Sequence, residues 1–257
     1  MIKHAVAIVT GASQGIGRAS AIRLARDFSG ITLVARNTNR LIETANQVRA
    51  QGAEALVLSV DLSEPQAPEA VVGDTIRRFG RIDALLNIAG AVPQVDLFDM
   101  SDEAWESGMA LKLHGARRLV LRAWDRLKAS RGSVVFMSGD SAQIPKAAYA
   151  AVGTVNAAIV ALAKAFADRG MTDGVQVNSV LPGPIMTDRR KSYLAHWAPI
   201  HNVSLEEAGK EFLAHTGVGR YGTPEEIAEL MAFLVSPQAR WMTGSAIRMD
   251  GGEVAAV

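Results

Sequence analysis

Short apolar runs alternate with longer helical patterns along almost the whole chain. Apolar runs separated by helices in this way are typical of a parallel sheet that is covered on both faces. The runs lie at residues 5–10, 31–35, 55–60, 82–88, 133–138, 175–181 and 246–249. The sequence therefore predicts an α/β fold: one doubly wound domain over residues 1–257, with a seven-stranded parallel sheet and helices on both faces. Residues 188–216 interrupt the pattern and are predicted to be an insertion that covers one end of the sheet.

The composition indicates a globular protein and excludes several kinds of site. Of the 257 residues, 49% are apolar and 21% are charged, and the net charge is +1. This balance gives no general attraction to nucleic acid or to an anionic membrane, and the first residues lack the layout of a signal peptide. The chain has no cysteine, and its five histidines form no i, i+4 pair. We therefore expect a cytoplasmic protein without disulfides or a metal site, which binds neither nucleic acid nor membrane.

A glycine-rich turn follows the first predicted strand and opens a helical pattern. It reads Thr10-Gly11-Ala12-Ser13-Gln14-Gly15-Ile16-Gly17. Glycine allows a positive φ and a close backbone approach, and a helix N-terminus presents free N–H groups to an anion. Such a turn also fits a simple strand-to-helix connection, but its place after the first strand favours a dinucleotide site. We predict that the pyrophosphate of a dinucleotide lies against Gly11, Ser13, Gln14, Gly15, Ile16 and Gly17.

The ends of the next three strands predict how the rest of the dinucleotide is held. An acidic residue after the second strand would bind the 2′-hydroxyl of the adenine ribose, but this chain has Ala35 followed by Arg36. A guanidinium at this place pairs with a 2′-phosphate, so the sequence favours NADP(H) over NAD(H), although solvated arginines at strand ends are also common. The other residues that we predict to contact the cofactor here are Asp61, Leu62, Asn87, Ala89 and Gly90.

In these motifs and in several downstream, the chain resembles the short-chain dehydrogenase/reductase family over nearly its whole length. The resemblance is carried by residues 10–17, Asp61, 87–90, Tyr149, 178–184 with Thr187, 219–220 with 224–226, and 250–252. It implies a single Rossmann-type domain, a nicotinamide cofactor, and hydride transfer between a carbonyl and an alcohol. It also implies a homodimer or homotetramer built on the two long helices that begin near residues 101 and 147. The nicotinamide amide is expected to contact Pro182, Gly183, Ile185 and Thr187.

The resemblance also assigns an active site, and two of its positions are altered in this chain. Tyr149 matches the tyrosine that exchanges a proton with the substrate oxygen, but the lysine expected four residues later is Gly153. The asparagine expected on the preceding long helix is replaced by Lys112. A tyrosine with a pKa of ~10 needs a cation beside it, so we hypothesise that Lys112 reaches Tyr149 and the cofactor ribose, with Gly153 leaving it room. The alternative is a lysine that only snorkels from an interface helix.

The serine of this active site has two candidates. In the family it stands at the end of the fifth strand, typically about 13 residues before the tyrosine, and its usual position corresponds to Gly139. Ser138 precedes Tyr149 by only 11 residues and is our first candidate to hold the substrate oxygen. Ser141 is the second. The alternative for either serine is a turn in which the hydroxyl bonds the local backbone, and for Ser141 this alternative is the favoured one. We assign no role to Asn156.

These residues predict an NADP(H)-dependent oxidoreductase that acts on a small carbonyl or alcohol, with Tyr149, Ser138 and Lys112 as its catalytic residues. The altered active site leaves a second interpretation open. In that interpretation the chain binds a dinucleotide with weak or no catalysis and acts as a sensor or an assembly partner.

Overall fold

The computed structural model describes residues 4–255 and contains the predicted sheet; the ends of the predicted domain, 1–3 and 256–257, lie outside the described residues. Within that range seven parallel strands pair in the order β3-β2-β1-β4-β5-β6-β7. Continuous apolar sequence suits each strand because both faces of the sheet are covered. The strands are β1 Val6–Thr10, β2 Gly30–Ala35, β3 Glu54–Ser59, β4 Ala84–Asn87, β5 Ser133–Met137, β6 Gln176–Pro182 and β7 Ala246–Met249. The predicted fold class is confirmed.

The helices of the described chain divide between the two faces of this sheet. One apolar cluster unites residues of α1, α2 and α9 with the strands, and a second unites residues of α3, α5 and α6 with the opposite face. The helices are α1 Gly15–Leu24, α2 Thr38–Ala50, α3 Ala67–Phe79, α4 Asp102–Met109, α5 Ala116–Ser130, α6 Ala150–Asp173, α7 Asp188–Ile200, α8 Leu205–Thr216 and α9 Pro224–Leu234. The long helix predicted from about residue 101 to 129 is divided, because Ala110–Gly115 forms a π-helical segment between α4 and α5.

The strand order opens a crevice at one edge of the sheet. From β1 the chain moves outward to β2 and β3, and it then returns to the other side of β1 as β4. The loops that follow β1 and β4 therefore leave in opposite directions, and the carboxyl ends of these two strands leave a gap where ligands of such folds bind. Helices α7 and α8 pack on each other through Leu194, Ala198 and Ala208 and make up the predicted insertion.

Helix α6 is apolar and long enough to span a membrane, by length and composition alone. In the structure α6 packs against β5 and β6, and Ile159 and Ala163 are buried in the cluster on that face of the sheet. A helix that covers a sheet in this way can be as long and as apolar as a membrane span, because its apolar side chains are part of the core.

Candidate active site

A cleft with a volume of about 440 Å³ lies at the carboxyl edge of the sheet. It extends from the glycine turn after β1 to the ends of β4, β5 and β6. Most of the residues predicted from sequence line this one cleft, although they come from eight separate stretches of the chain. They are Gly11, Ser13, Gln14, Gly15, Ile16, Gly17, Arg36, Asp61, Leu62, Ala89, Gly90, Lys112, Ser138, Pro182 and Thr187.

The glycine turn has the geometry of an anion site. Gly11 and Gly15 have φ of +67° and +53°, a region that favours glycine. A Cβ at Gly11 would stand 3.0 Å from the backbone nitrogen of Ala89, and a Cβ at Gly17 would collide with the carbonyl oxygen of Gly11. No side chain caps the N-terminus of α1 at Gln14, so its first N–H groups are left to face the cleft. The turn therefore fits a phosphate group.

Two guanidinium groups stand at the end of the cleft beside β2. Arg36 is 3.8 Å from Asp61, and Arg40 donates a hydrogen bond to the side-chain oxygen of Gln14. The backbone N–H and hydroxyl of Ser63 hold the pKa of Asp61 below its ordinary value, with a smaller contribution from Arg36. Sequence reasoning found Arg36 and missed Arg40. The signal was a second arginine only four residues later, which lies in the first turn of α2 and so stays near the end of β2.

Lys112 lies in the π-helical segment and lines the inner end of the cleft. Its ammonium donates to the side-chain oxygen of Asn156 at 2.5 Å and to the backbone carbonyl of Ser138 at 3.2 Å. Gly90 makes room for the lysine stem, since a Cβ there would stand 2.9 Å from Cδ of Lys112. Burial, and to a lesser extent the positive charge of Arg189, lower the pKa of Lys112 to about 7.

Asn156, to which sequence reasoning assigned no role, organises the polar groups around Lys112. Its side-chain nitrogen donates to the hydroxyl of Ser141 at 2.8 Å, and its backbone carbonyl accepts the hydroxyl of Ser138 at 2.8 Å. All three residues are buried. The hydroxyl of Ser138 is thus bonded to helix α6, so the residue lines the cleft without offering this proton to a ligand. A signal for Asn156 existed in its polarity, because it interrupts an otherwise apolar helical pattern.

The structure does not bring Tyr149 to Lys112, and this corrects the predicted pair. Tyr149 precedes the first residue of α6 and does not line the cleft. Burial, and then the carboxyl groups of Asp140 and Glu253, raise its pKa, which is opposite to the effect of a neighbouring cation. Gly153 does not leave room for Lys112 either. A Cβ at Gly153 would stand 2.9 Å from both Cβ of Pro145 and the carbonyl oxygen of Ser141, so that glycine permits close packing of the preceding loop.

Three predicted cofactor contacts lie outside the cleft. Gly183 and Ile185 line a second cavity of about 360 Å³. A Cβ at Gly183 would stand 2.7 Å from Cα of Asp250, so this glycine allows the end of β6 to approach the chain after β7. Asn87 is buried at the end of β4, and its side-chain nitrogen has no hydrogen-bond partner among the described residues.

The start of α7 closes the cleft opposite the glycine turn. The hydroxyl of Thr187 accepts the backbone N–H of Arg190 at 3.2 Å and so caps α7. A Cβ at Gly15 would stand 3.5 Å from Thr187, which shows how closely the two segments approach. Arg189 lines the cleft and donates to the carbonyl of Val92 at 2.7 Å. Over residues 4–255 no group of three or more histidine, aspartate or glutamate side chains is arranged to hold a metal ion.

Comparison with known proteins extends this description to the whole chain. The family model described as enoyl-(acyl carrier protein) reductase matches residues 11–253. The chain is 31% identical over 250 residues to a putative ketoacyl reductase of Streptomyces coelicolor, which covers 96% of each protein. It is 30% identical to an L-rhamnose 1-dehydrogenase (NAD(P)(+)) of a Sphingomonas species, over 98% of this chain and 97% of that one.

Solved structures give the same result at the level of the fold. L-Sorbose reductase from Gluconobacter frateurii, complexed with NADPH and L-sorbose, has a TM-score of 0.94 at 28% identity, over 98% of this chain and 97% of that chain. A variant of actinorhodin polyketide ketoreductase with NADPH has a TM-score of 0.92 at 29% identity, again over 98% and 97%. The family match, the relatives and the sheet with its glycine turn together show that the chain belongs to the short-chain dehydrogenase/reductase family.

Proposed function

We propose that this protein is an NADP(H)-dependent oxidoreductase that transfers a hydride between the nicotinamide and a small-molecule carbonyl or alcohol. The observation that carries the proposal is the single cleft, which has the glycine turn at one end and Lys112 at the other. The relatives described above are named as reductases or dehydrogenases, which favours an enzyme over a binding protein without turnover.

The choice of NADP(H) rests on the charge of the cleft and on the relatives. Arg36 and Arg40 place two guanidinium groups beside the end of β2. Ala35 stands where an acidic side chain would repel a 2′-phosphate, so no carboxylate opposes NADP(H) there. The solved L-sorbose reductase and actinorhodin ketoreductase both carry NADPH. The free N–H groups of α1 would hold the pyrophosphate, and Asp61 and Leu62 would lie against the adenine.

Residues of the chain line the part of the cleft that remains for a substrate beside the nicotinamide. When bound, the nicotinamide supplies the hydride to a carbonyl carbon, or accepts one from an alcohol. Thr187 caps α7 by accepting a hydrogen bond, and its hydroxyl retains one proton to donate into the cleft. The start of α7 lines this end of the cleft, and α7 with the packed α8 would help to exclude water from a bound substrate. The substrate would enter between α7 and the ends of β4 and β5, where Lys112 lies.

The proposal includes a homo-oligomer, either a dimer or a tetramer, in the cytoplasm. Its long helices α5 and α6 carry exposed apolar side chains such as Leu121 and Met171. The substrate is a small organic carbonyl or alcohol, since the relatives' names range from a sugar dehydrogenase to polyketide reductases.

The test has a binding part and a turnover part. NADPH and NADH are titrated into the protein and binding is followed by nicotinamide fluorescence. Loss of absorbance at ~340 nm is then followed with a panel of aldehydes, ketones, sugars and β-ketoesters, and the reverse reaction is followed with the matching alcohols. We expect tighter binding of NADPH than of NADH and turnover with at least one carbonyl class. Tight NADPH binding without turnover of any compound would overturn the oxidoreductase proposal, and absence of NADPH binding would overturn the cofactor assignment.

A further inference from the structure

We infer that the proton of the proposed reaction is carried by the ammonium of Lys112 and not by a tyrosine hydroxyl. Lys112 would deliver the proton to the substrate oxygen in reduction and its neutral amine would take it back in oxidation. This inference rests on the proposed function, because it specifies the catalytic acid of the same cleft. It differs from the expectation formed on the sequence, in which Lys112 only assisted Tyr149.

The first observation is that no tyrosine reaches the cleft. The chain has three tyrosines, at 149, 193 and 221, and all three lie in the part of the chain that the structure describes. None of them lines the cleft. Tyr149 is half-buried with Asp140, Glu253 and Arg190, and burial and the two carboxyl groups oppose loss of its proton. A tyrosine in this environment is a poor acid–base group at neutral pH.

The second observation is the spacing around the lysine–asparagine pair. Lys112 faces Asn156 on α6, so Asn156 occupies the place at which the family's lysine would face an asparagine. Four residues before Asn156 is Val152, and 13 residues before Val152 is Gly139. Val152 packs on an apolar cluster around Val92 and Val155, and a Cβ at Gly139 would stand 2.6 Å from the side-chain nitrogen of Asn156. In this register valine stands at the tyrosine position, glycine at the serine position, and the lysine and asparagine have exchanged places.

The third observation concerns the cations that line the cleft. These are Arg36, Arg40, Lys112 and Arg189. A guanidinium keeps its proton under all ordinary conditions, whereas an ammonium can release one. Lys112 donates two of its three protons, to Asn156 and to Ser138, so one N–H is left for a ligand in the cleft. The pKa of Lys112 is lowered to about 7, which suits an acid–base group at neutral pH.

The step balances with the groups already named. In reduction the carbonyl carbon accepts the hydride that the reduced nicotinamide cofactor supplies, and the C=O π bond opens. The electron pair of that bond takes the proton of the Lys112 N–H, which forms the O–H bond of the alcohol and leaves Lys112 as a neutral amine. A proton from solvent restores the ammonium. The oxidised cofactor leaves with two fewer electrons, and oxidation of an alcohol follows the same path in reverse.

The charges that face Lys112 set the sign of its pH dependence. On the α7 side the facing group is Arg189, which repels the ammonium and lowers its pKa. On the α6 side the group is the neutral amide of Asn156, and at the end of β5 it is the carbonyl of Ser138. The loop after β4 presents Gly90, which has no side chain. Because the active form in reduction is the ammonium, kcat for reduction should fall as pH rises through about 7, and kcat for oxidation should rise over the same interval.

The experiment measures kcat and its pH profile with NADPH and a substrate identified in the panel above. Lys112→Met removes the proton and the charge, whereas Lys112→Arg keeps the charge and holds its proton. We expect both variants to lose about 10²- to 10⁴-fold in kcat, as expected for loss of a general acid. Lys164→Met is the matched control, because Lys164 is an exposed lysine of α6 outside the cleft, and it should retain the wild-type rate. Wild-type kcat in Lys112→Arg would overturn the inference. Arginine can take over from a lysine that only positions a ligand or neutralises its charge, but it cannot release a proton in its place.

A second variant tests the proton without removing the lysine. In Asn156→Asp a carboxylate would stand beside the Lys112 ammonium, and a neighbouring negative charge raises the pKa of a cation. The pH at which kcat for reduction breaks should therefore move upward by about one unit or more. The hydroxyl of Ser141, which now accepts from Asn156, can rotate to donate to the new carboxylate, so the variant should fold. The inference would be contradicted if the pH at which kcat for reduction falls were unchanged in Asn156→Asp. It would also be contradicted if the fall in kcat with pH disappeared in Tyr149→Phe.

A direct titration separates this inference from the proposed function. Lysines labelled with ¹³C at Cε are followed by NMR from pH 5 to 11 in wild type and in Lys112→Met. One signal that titrates near 7 and is missing in the variant supports the inference even before a substrate is known. Ordinary lysine titration for every signal overturns the inference while NADPH-dependent turnover, if present, leaves the proposed function intact. Failure of the whole carbonyl panel, with the Lys112 signal titrating near 7, would overturn the proposed function and leave the assignment of the Lys112 proton standing.

Discussion

The contact between Gly17 and Gly11 gives a prediction that tests the cofactor site at its base. Gly17 is buried in the first turn of α1, and a Cβ there would collide with the carbonyl oxygen of Gly11. Because this oxygen belongs to the backbone of the turn, it cannot move aside as a flexible side chain would. Overpacking of this kind costs ~1–3 kcal/mol, whereas alanine gains up to ~1 kcal/mol over glycine in a helix. The collision is with backbone, so the upper part of that cost, ~2–3 kcal/mol, applies, and after the helix gain of ~1 kcal/mol the net effect of Gly17→Ala is a loss of about 1–2 kcal/mol.

The assay compares thermal unfolding and NADPH binding with those of a second glycine variant. A loss of about 1–2 kcal/mol lowers Tm by about 2–8 °C in a domain of this size. Opening of the turn also moves the N–H groups that face the pyrophosphate, so NADPH should bind at least about tenfold more weakly, or ~1.4 kcal/mol. Gly73→Ala is the matched control, because Gly73 lies in α3 and a Cβ added there would meet no atom within 4 Å. The Tm of this variant should rise, since alanine is favoured over glycine in a helix. If Gly17→Ala kept both the wild-type Tm and the wild-type affinity, the close approach of the turn to α1 would be refuted.

Three further predictions concern charge and capping. Replacing both Arg36 and Arg40 by serine removes charge-assisted hydrogen bonds worth ~1.5–3 kcal/mol each, so KM for NADPH should rise at least about tenfold while KM for NADH stays within ~3-fold; a parallel rise for NADH in steady-state kinetics would contradict the phosphate role. The carboxylate of Asp173 accepts hydrogen bonds from two side chains of α5 and one of α6, which hold its pKa below the ordinary 3.8. Its stabilisation is therefore present above pH ~4 and lost as pH falls, so the Tm gap between wild type and Asp173→Asn should shrink from pH 6 to pH 3. Thr223 and Glu226 form a reciprocal cap at the start of α9, so Thr223→Ala should cost ~1 kcal/mol and Thr223→Ser should restore most of it in chemical denaturation.

The fold was predictable because its signals are local. Parallel strands need crossover connections, so an alternation of apolar runs and helices leaves few arrangements besides a doubly wound sheet. The glycine turn was predictable for a similar reason, since the residues that make it are consecutive. The boundaries were less accurate where geometry departs from a regular helix. The π-helical segment at 110–115 and the start of α6 after Tyr149 leave no mark in the apolar periodicity.

The sequence by itself determined the sheet, the glycine turn, the arginine beside β2 and the presence of an unusual lysine at position 112. Only the tertiary structure decided which group that lysine meets. Its partner Asn156 is 44 residues away on another helix, and the rotation and axial position of α6 relative to the π-helical segment depend on packing across the whole face of the sheet. A shift of one turn would have placed Gly153 opposite Lys112. The physical reason is that local patterns encode which face of a helix is buried, whereas the pairing of two buried polar side chains depends on how the two helices dock.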